Sequence, residues 1–171
     1  MGVRLKLEVY ADETGKNSDR VGALIFVTGV SDSTKREISN IIKELKSNSK
    51  DFKLHATEDA KKSQRSCTAL RAFIYSKKDS FNYLTYKSSN ETNAYKELVN
   101  KLKSLYGSNC KISFYVEIGY SKKTEIFLKQ NGTLESVPKG KKNHKQHLIG
   151  LCDYLLYFGG FSGLKTRKGP R

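Results

Sequence analysis

Apolar and polar residues alternate at the start of the chain, with Val3, Leu5, Leu7 and Val9 between Arg4, Lys6, Glu8 and Tyr10. A period of two predicts a β-strand with one face buried. Asp12-Glu13-Thr14-Gly15-Lys16-Asn17 reads as a turn, because these residue types favour turns. Val21 to Gly29 (VGALIFVTG) reads as a mostly buried second strand that closes a hairpin with the first. Asp32-Ser33-Thr34 then supplies capping chemistry for a helix carrying Ile38, Ile41, Ile42 and Leu45 at helical spacing.

The pattern continues to switch between the two periods. Phe52 to His55 reads as a short strand, and a helix is expected from about Glu58 to Ser76 with Leu70, Phe73 and Ile74 inward. Phe81 to Lys87 (FNYLTYK) alternates as a strand. Asn90 caps a helix whose inner face carries Tyr95, Leu98, Val99, Leu102 and Leu105. Lys111 to Glu117 (KISFYVE) is a strand with Ile112, Phe114 and Val116 on one side. A short helix near 124–129 precedes a basic loop from Gln130 to about Asn143. The last helix covers about His144 to Phe158, and a basic tail is expected over 163–171. Strands alternating with helices mean an α/β domain, and the opening hairpin makes the sheet mixed. There is no repeat and no low-complexity linker, so 1–162 reads as a single domain.

The length of 171 residues suits one such domain with a substantial core. No apolar run approaches the ~20 residues of a membrane span. The N-terminus lacks a continuous signal-peptide core, so the expected compartment is the cytoplasm. Cys67, Cys110 and Cys152 are odd in number and widely spaced, which is neither a disulfide framework nor a zinc pattern. The charge changes the picture more. With 32 Lys plus Arg against 17 Asp plus Glu, the formal net charge is +15, the footprint of a protein that meets phosphate, and nucleic acid is the expected partner.

Against that excess of cations, a few acids stand out. Asp153 interrupts Leu148-Ile149-Gly150-Leu151-Cys152-Asp153-Tyr154-Leu155-Leu156-Tyr157-Phe158, a helix apolar nearly all round. A carboxylate there is costly to desolvate unless it is paired, capping or facing a cation. Asp12 and Glu13 lie at the end of the first strand, where α/β sheets gather ligand sites, although the same residues suit a hairpin turn. Glu117 ends an apolar strand, which also suits a solvated edge. In His55-Ala56-Thr57-Glu58, His55 or Thr57 suits a helix cap and Glu58 its first turn. Acids brought together in one cleft repel each other unless cations neutralise them. Mg²⁺ favours such hard oxygen ligands, and a pair of ions can clamp both oxygens of a phosphodiester displacement. His144 and His147 lie three apart on the last helix, but no third ligand follows at zinc-like spacing, so they are expected to face phosphate or solvent. There is neither a P-loop nor a Gly-x-Ser-x-Gly elbow.

Several segments, in order, resemble the domain-of-unknown-function 3800 family of bacterial and phage-associated proteins. Tyr10-Ala11-Asp12-Glu13-Thr14-Gly15 is similar to its opening Tyr-x-Asp-Glu-Ser-Gly, and Leu54-His55-Ala56-Thr57-Glu58 to its Leu-His-Ala-x-Glu segment. Tyr86-Lys87 resembles its Asp-Lys step. Tyr115-Val116-Glu117 with Ser121-Lys122-Lys123 resembles its strand ending in an acid before Ser and Lys. Residues 148–157 resemble its last helix, with an Asp inside an apolar run. Departures are Thr14 for Ser, Lys53 where an acid is frequent, Glu117 for Asp, and Gly150 for Gln.

The resemblance implies an RNase H-like fold and a nuclease-like site. On this reading the protein is a metal-dependent phosphodiesterase acting on DNA or RNA. Asp12, Glu117 and Asp153 hold Mg²⁺ or Mn²⁺, with Glu13 and Glu58 as further ligand candidates. His55 orients water or phosphate or moves a proton. Lys87 and the cluster Lys139, Lys141, Lys142 and Lys145 contact phosphates. The alternative is a non-catalytic module that binds nucleic acid or a protein, in which the acids are structural.

Overall fold

The computed structural model describes residues 4–14 and 18–165. Its elements are β1 (Lys6–Thr14), β2 (Arg20–Val27), α1 (Asp32–Asn48), α2 (Ala56–Lys62), α3 (Gln64–Ser76), β3 (Asn82–Lys87), α4 (Glu91–Tyr106), β4 (Lys111–Glu117), α5 (Lys122–Asn131), β5 (Thr133–Val137), α6 (His144–Phe158) and α7 (Phe161–Lys165). The five strands form one sheet in the order β3-β2-β1-β4-β5. β1 pairs antiparallel with β2, and β2 with β3. β4 runs parallel to β1, and β5 parallel to β4. A three-stranded antiparallel meander continued by two parallel strands, with helices on both faces, is the RNase H-like arrangement.

Alternation along β1 divides the core between the two faces. Leu7, Val9 and Ala11 face α4 and α5, in a layer completed by Leu98, Leu102, Phe114 and Leu128. Tyr10 faces the other way, among Ile38, Ile42, Leu70, Leu148, Cys152 and Leu155 of α1, α3 and α6. α6 is therefore buried along most of its length, as its apolar sequence demands.

Four expectations are corrected. Asp12 to Thr14 continue β1 rather than turning, because Asp12, Glu13 and Thr14 still pair with Gly22, Val21 and Arg20; the rest of the expected turn, 15–17, lies outside the described residues. Residues 52–55 are not a strand: Leu54 takes a left-handed conformation (φ 57°), away from the extended region of a regular strand. The expected helix over 58–76 is two helices, α2 and α3, broken at Ser63 (φ −139°, ψ 50°). The expected loop 130–143 contains β5. This edge strand buries only Val137 fully, so it has no strong period-two signal. Its entry at Gly132 passes so close to β4 that a Cβ would lie 2.2 Å from the Ile112 carbonyl oxygen. In the expected basic tail, 163–165 belong to α7, and 166–171 lie outside the described residues.

The break between α2 and α3 has a polar anchor that the sequence reading passed over. Asp59 is fully buried. Its carboxylate accepts from the backbone N–H of Lys53 (2.9 Å) and of His55 (3.0 Å), and from the Tyr154 hydroxyl of α6. One side chain thus ties the 52–55 segment and α2 to the central helix. Asp59→Ala leaves the buried Tyr154 hydroxyl and two part-buried backbone N–H groups without this partner, and it is expected to lower unfolding stability by about 2 kcal/mol or more. Urea denaturation followed by circular dichroism measures it, and a loss within error of zero contradicts the anchor.

A carboxylate cluster at the ends of two parallel strands

Tyr10 pairs with Tyr115 and Ala11 with Val116 across the parallel β1–β4 ladder. The rings of Tyr10 and Tyr115 stack at 4.7 Å. One step past Ala11 and Val116, the same register sets Asp12 beside Glu117, both on the α6 side of the sheet. α6 brings the third acid. The Cys152 thiol donates to the Tyr10 carbonyl oxygen at 3.2 Å, which seats the following residue, Asp153, against the end of β1. Asp12 and Asp153 line one narrow recess with Thr14, Gly22, Cys152 and Leu156. Gly22 is the residue opposite Asp12 on β2, and a Cβ there would meet the Tyr83 hydroxyl at 3.1 Å.

The three acids act on one another. Burial, then Glu117 and Asp153, push the Asp12 carboxyl up to about 7. Glu117 is also raised, first by burial, with Asp153 adding and Lys139 and Lys141 opposing. Lys141 opposes the rise of Asp12 as well. No ion pair joins Asp153 to a lysine or arginine among the described residues. Nor do any three His, Cys, Asp or Glu side chains among them close into a metal-binding group. The carboxylates are electrostatic neighbours around an open recess.

Glu13 goes to the opposite face, by the alternation of β1. There it faces Tyr95 and Glu91 of α4, and burial lifts its carboxyl to about 8. Its Oε1 and the Tyr95 hydroxyl are buried without a hydrogen-bond partner among the described residues. Glu91, also buried, accepts from the Ser121 backbone N–H at 2.9 Å and holds the start of α5. His55 is the exposed residue before α2, with no side-chain capping bond, and Glu58 is exposed in the first turn. Neither is brought among the three carboxylates by any contact or electrostatic interaction that the structure shows for them.

The lysine cluster divides. The 138–143 segment is a built loop rather than loose chain, held by Gln146 of α6. The Gln146 amide donates to the carbonyl oxygens of Pro138 (2.9 Å) and Lys139 (3.4 Å). Its Oε1 accepts from the N–H groups of Lys142 (2.9 Å) and Asn143 (3.2 Å). Gly140, at φ 141°, passes where a Cβ would press on that amide. Lys141 reaches across to the Leu54 carbonyl oxygen at 2.7 Å. Lys139 and Lys141 thereby stand beside the carboxylates, while Lys142 is exposed. Lys145 is committed to Glu135 at 2.6 Å and lies 5.0 Å from the Tyr115 ring centroid. Lys87 is exposed at the end of edge strand β3, two strands from β1.

His147 does not face phosphate or solvent. It is buried; its Nε2–H donates to the Lys141 carbonyl oxygen (3.0 Å), and its Nδ1 therefore accepts from the Ser39 hydroxyl (3.0 Å). Burial, with Lys46 adding, lowers it to about 4. Cys67, Cys110 and Cys152 are buried free thiols, and burial raises each.

A carboxyl that stays protonated to higher pH when folded adds stability below its unfolded value, near 4, and loses it as pH rises through the folded value. Asp12 and Glu13 therefore make stability fall between about pH 4 and 8. Asp12→Asn removes one of these costs. It is expected to be more stable than the wild type at pH 8 by on the order of 1–3 kcal/mol, and close to it at pH 4. Urea titrations at the two pH values measure the difference, and an equal gap at both contradicts the raised Asp12 carboxyl.

No helix among the described residues is long and apolar enough to cross a membrane. No protein-family model matches the chain, and no curated protein does. Among solved structures, RNase HII in its complex with PCNA from Archaeoglobus fulgidus is similar at 15% identity, over 88% of this chain and 70% of that one, with a TM-score of 0.42. At that distance the fold is read from strand order and direction alone.

Proposed function

We propose that the protein is a metal-dependent phosphodiesterase of nucleic acid, and that it is a member of the domain-of-unknown-function 3800 family. The observation that carries the reading is the meeting of Asp12, Glu117 and Asp153 at the carboxyl ends of β1 and β4, with Lys139 and Lys141 beside them. Asp12 and Asp153 in a recess otherwise built of Thr14, Gly22, Cys152 and Leu156, with Glu117 as their electrostatic neighbour, offer the hard oxygen donors that a divalent cation takes. When bound, Mg²⁺ or Mn²⁺ supplies charge stabilisation at phosphorus and a more acidic water. The chain's own residues do the rest. Asp12, Glu117 and Asp153 hold negative charge at one place. Lys139 and Lys141 offset part of it and draw a phosphodiester to that end of the sheet. The Gln146-bound loop fixes where those lysines start, so little of their ordering is left to the moment of binding. Glu13 belongs to the support of the strand end from the α4 side rather than to the ligand set.

Labelled DNA and RNA, incubated with Mg²⁺, Mn²⁺ or EDTA across a salt series, test the reading. Cleavage is expected with the metals and none with EDTA. Asp12→Asn and Asp153→Asn are each expected to lose on the order of a thousandfold in rate, the loss of several kcal/mol of charge stabilisation, while still binding the strand. Undiminished cleavage by both purified variants sinks the assignment. Salt-dependent binding with no cleavage under any metal identifies a binding module instead.

A further inference from the structure

A second cleft opens on the same side of the sheet, between α1 and the start of α6, lined in part by Glu8, Asp32, Lys35, Arg36, Lys43 and His144. Its charges are sorted by depth. Glu8 is matched twice, by the Lys35 ammonium and by the Tyr10 hydroxyl at 2.9 Å. Asp32 accepts from the Gly29 N–H at 3.1 Å and faces Lys35 at 3.7 Å. Lys35 thus offsets one of the two negative charges, and the other stays on this wall, where Asp32 is partly exposed. Arg36 and Lys43 are exposed, two turns apart on the same face of α1, and neither has an ion-pair partner among the described residues. At His144, burial lowers the imidazole, with Lys35, Lys145 and Lys43 adding and Glu8 opposing. Glu8 and Asp12 share a face of β1 four residues apart, which is about 13 Å along a strand. Measured along the axis of a duplex, that distance is about four base-pair rises.

We infer that this cleft is a second phosphate-binding subsite for the nucleic-acid strand whose other phosphate lies at the carboxylates, with Arg36 and Lys43 as its contacts. The inference rests on the nucleic-acid reading of the carboxylate site. It assigns the protein a footprint: the strand must be long enough to reach both places. Oligomers of two or three nucleotides engage one subsite, and longer ones engage both.

The test compares the wild type with Arg36→Gln/Lys43→Gln by fluorescence anisotropy, with a three-nucleotide and a twelve-base-pair probe over a salt series. A second double variant, Lys96→Gln/Lys123→Gln, removes the same charge from the α4–α5 side of the sheet. For the duplex, Arg36→Gln/Lys43→Gln is expected to weaken affinity about tenfold or more at low salt and to flatten the slope of log affinity against log salt by nearly two, at about 0.9 for each lost phosphate contact. The short probe is expected to bind both proteins alike, and the α4–α5 variant to keep the wild-type slope. Equal slopes for the wild type and Arg36→Gln/Lys43→Gln on the duplex overturn the subsite and leave the carboxylate site standing. An equal loss in the α4–α5 variant also overturns it, because the effect is then one of net charge. A wild-type protein that binds neither probe overturns the subsite together with the reading on which it rests.

Discussion

Burying α6 without burying a lone charge is the constraint on which the rest of the structure depends. The helix is apolar on nearly every side, so the hydrophobic effect drives it onto the sheet beside α1 and α2. Asp153 cannot follow into that layer unaccompanied. The fold meets both demands by laying α6 across β1 so that Cys152 touches the Tyr10 backbone and Asp153 comes out at the strand's end. Leu54 packs against Gly150 on one flank, where a Cβ would be only 2.8 Å from its Cδ2. Asp59 takes the Tyr154 hydroxyl, and the Ser39–His147 pair satisfies the helix's remaining buried polar ring. The hydrogen bonds among these remove polar costs that would otherwise push the helix off the sheet, and the Leu54–Gly150 contact adds close packing.

The same seating gathers negative charge. Two strands that run parallel end together, and register rather than sequence proximity puts Asp12 and Glu117 side by side. The helix adds Asp153, and burial, with repulsion between the acids adding to it, raises Asp12 and Glu117. The opposing field comes from a loop whose backbone Gln146 grips at both ends. Since Gln146 and Asp153 are seven residues apart on α6, one helix face carries both an acid of the cluster and the clamp on the lysines that oppose it.

Much of this is legible in the sequence, for reasons that differ by element. The strands β1, β2 and β4 and the helices α1, α4 and α6 announce themselves by period, because each buries a face or a stripe. Asp153 is conspicuous because its neighbours are apolar. Asp12 and Glu117 can be named as strand-end acids, but their adjacency cannot, since it depends on a pairing across a hundred residues of chain. β5 is illegible because an edge strand with one buried residue needs no alternation. Asp59 escapes notice because it sits in a polar run, KLHATEDAKK, where only tertiary contact with Tyr154 reveals that it is interior. Glu13 shows how a local pattern misleads: adjacent acids on a strand point to opposite faces, and only the turn reading of 12–17 would have let them act together.

Gly150 and Leu54 have a further consequence for how the chain can vary. The two positions share one volume, so neither is free to change by itself. A glutamine at 150 needs a smaller residue at 54, and a smaller residue at 54 alone leaves a void under Lys141, whose ammonium is tied to the Leu54 carbonyl oxygen. The pair is therefore epistatic. With glycine at 150 and Leu54 seated against it, no single substitution admits a longer side chain there, and the backbone that such a side chain would displace is the one that holds Lys141.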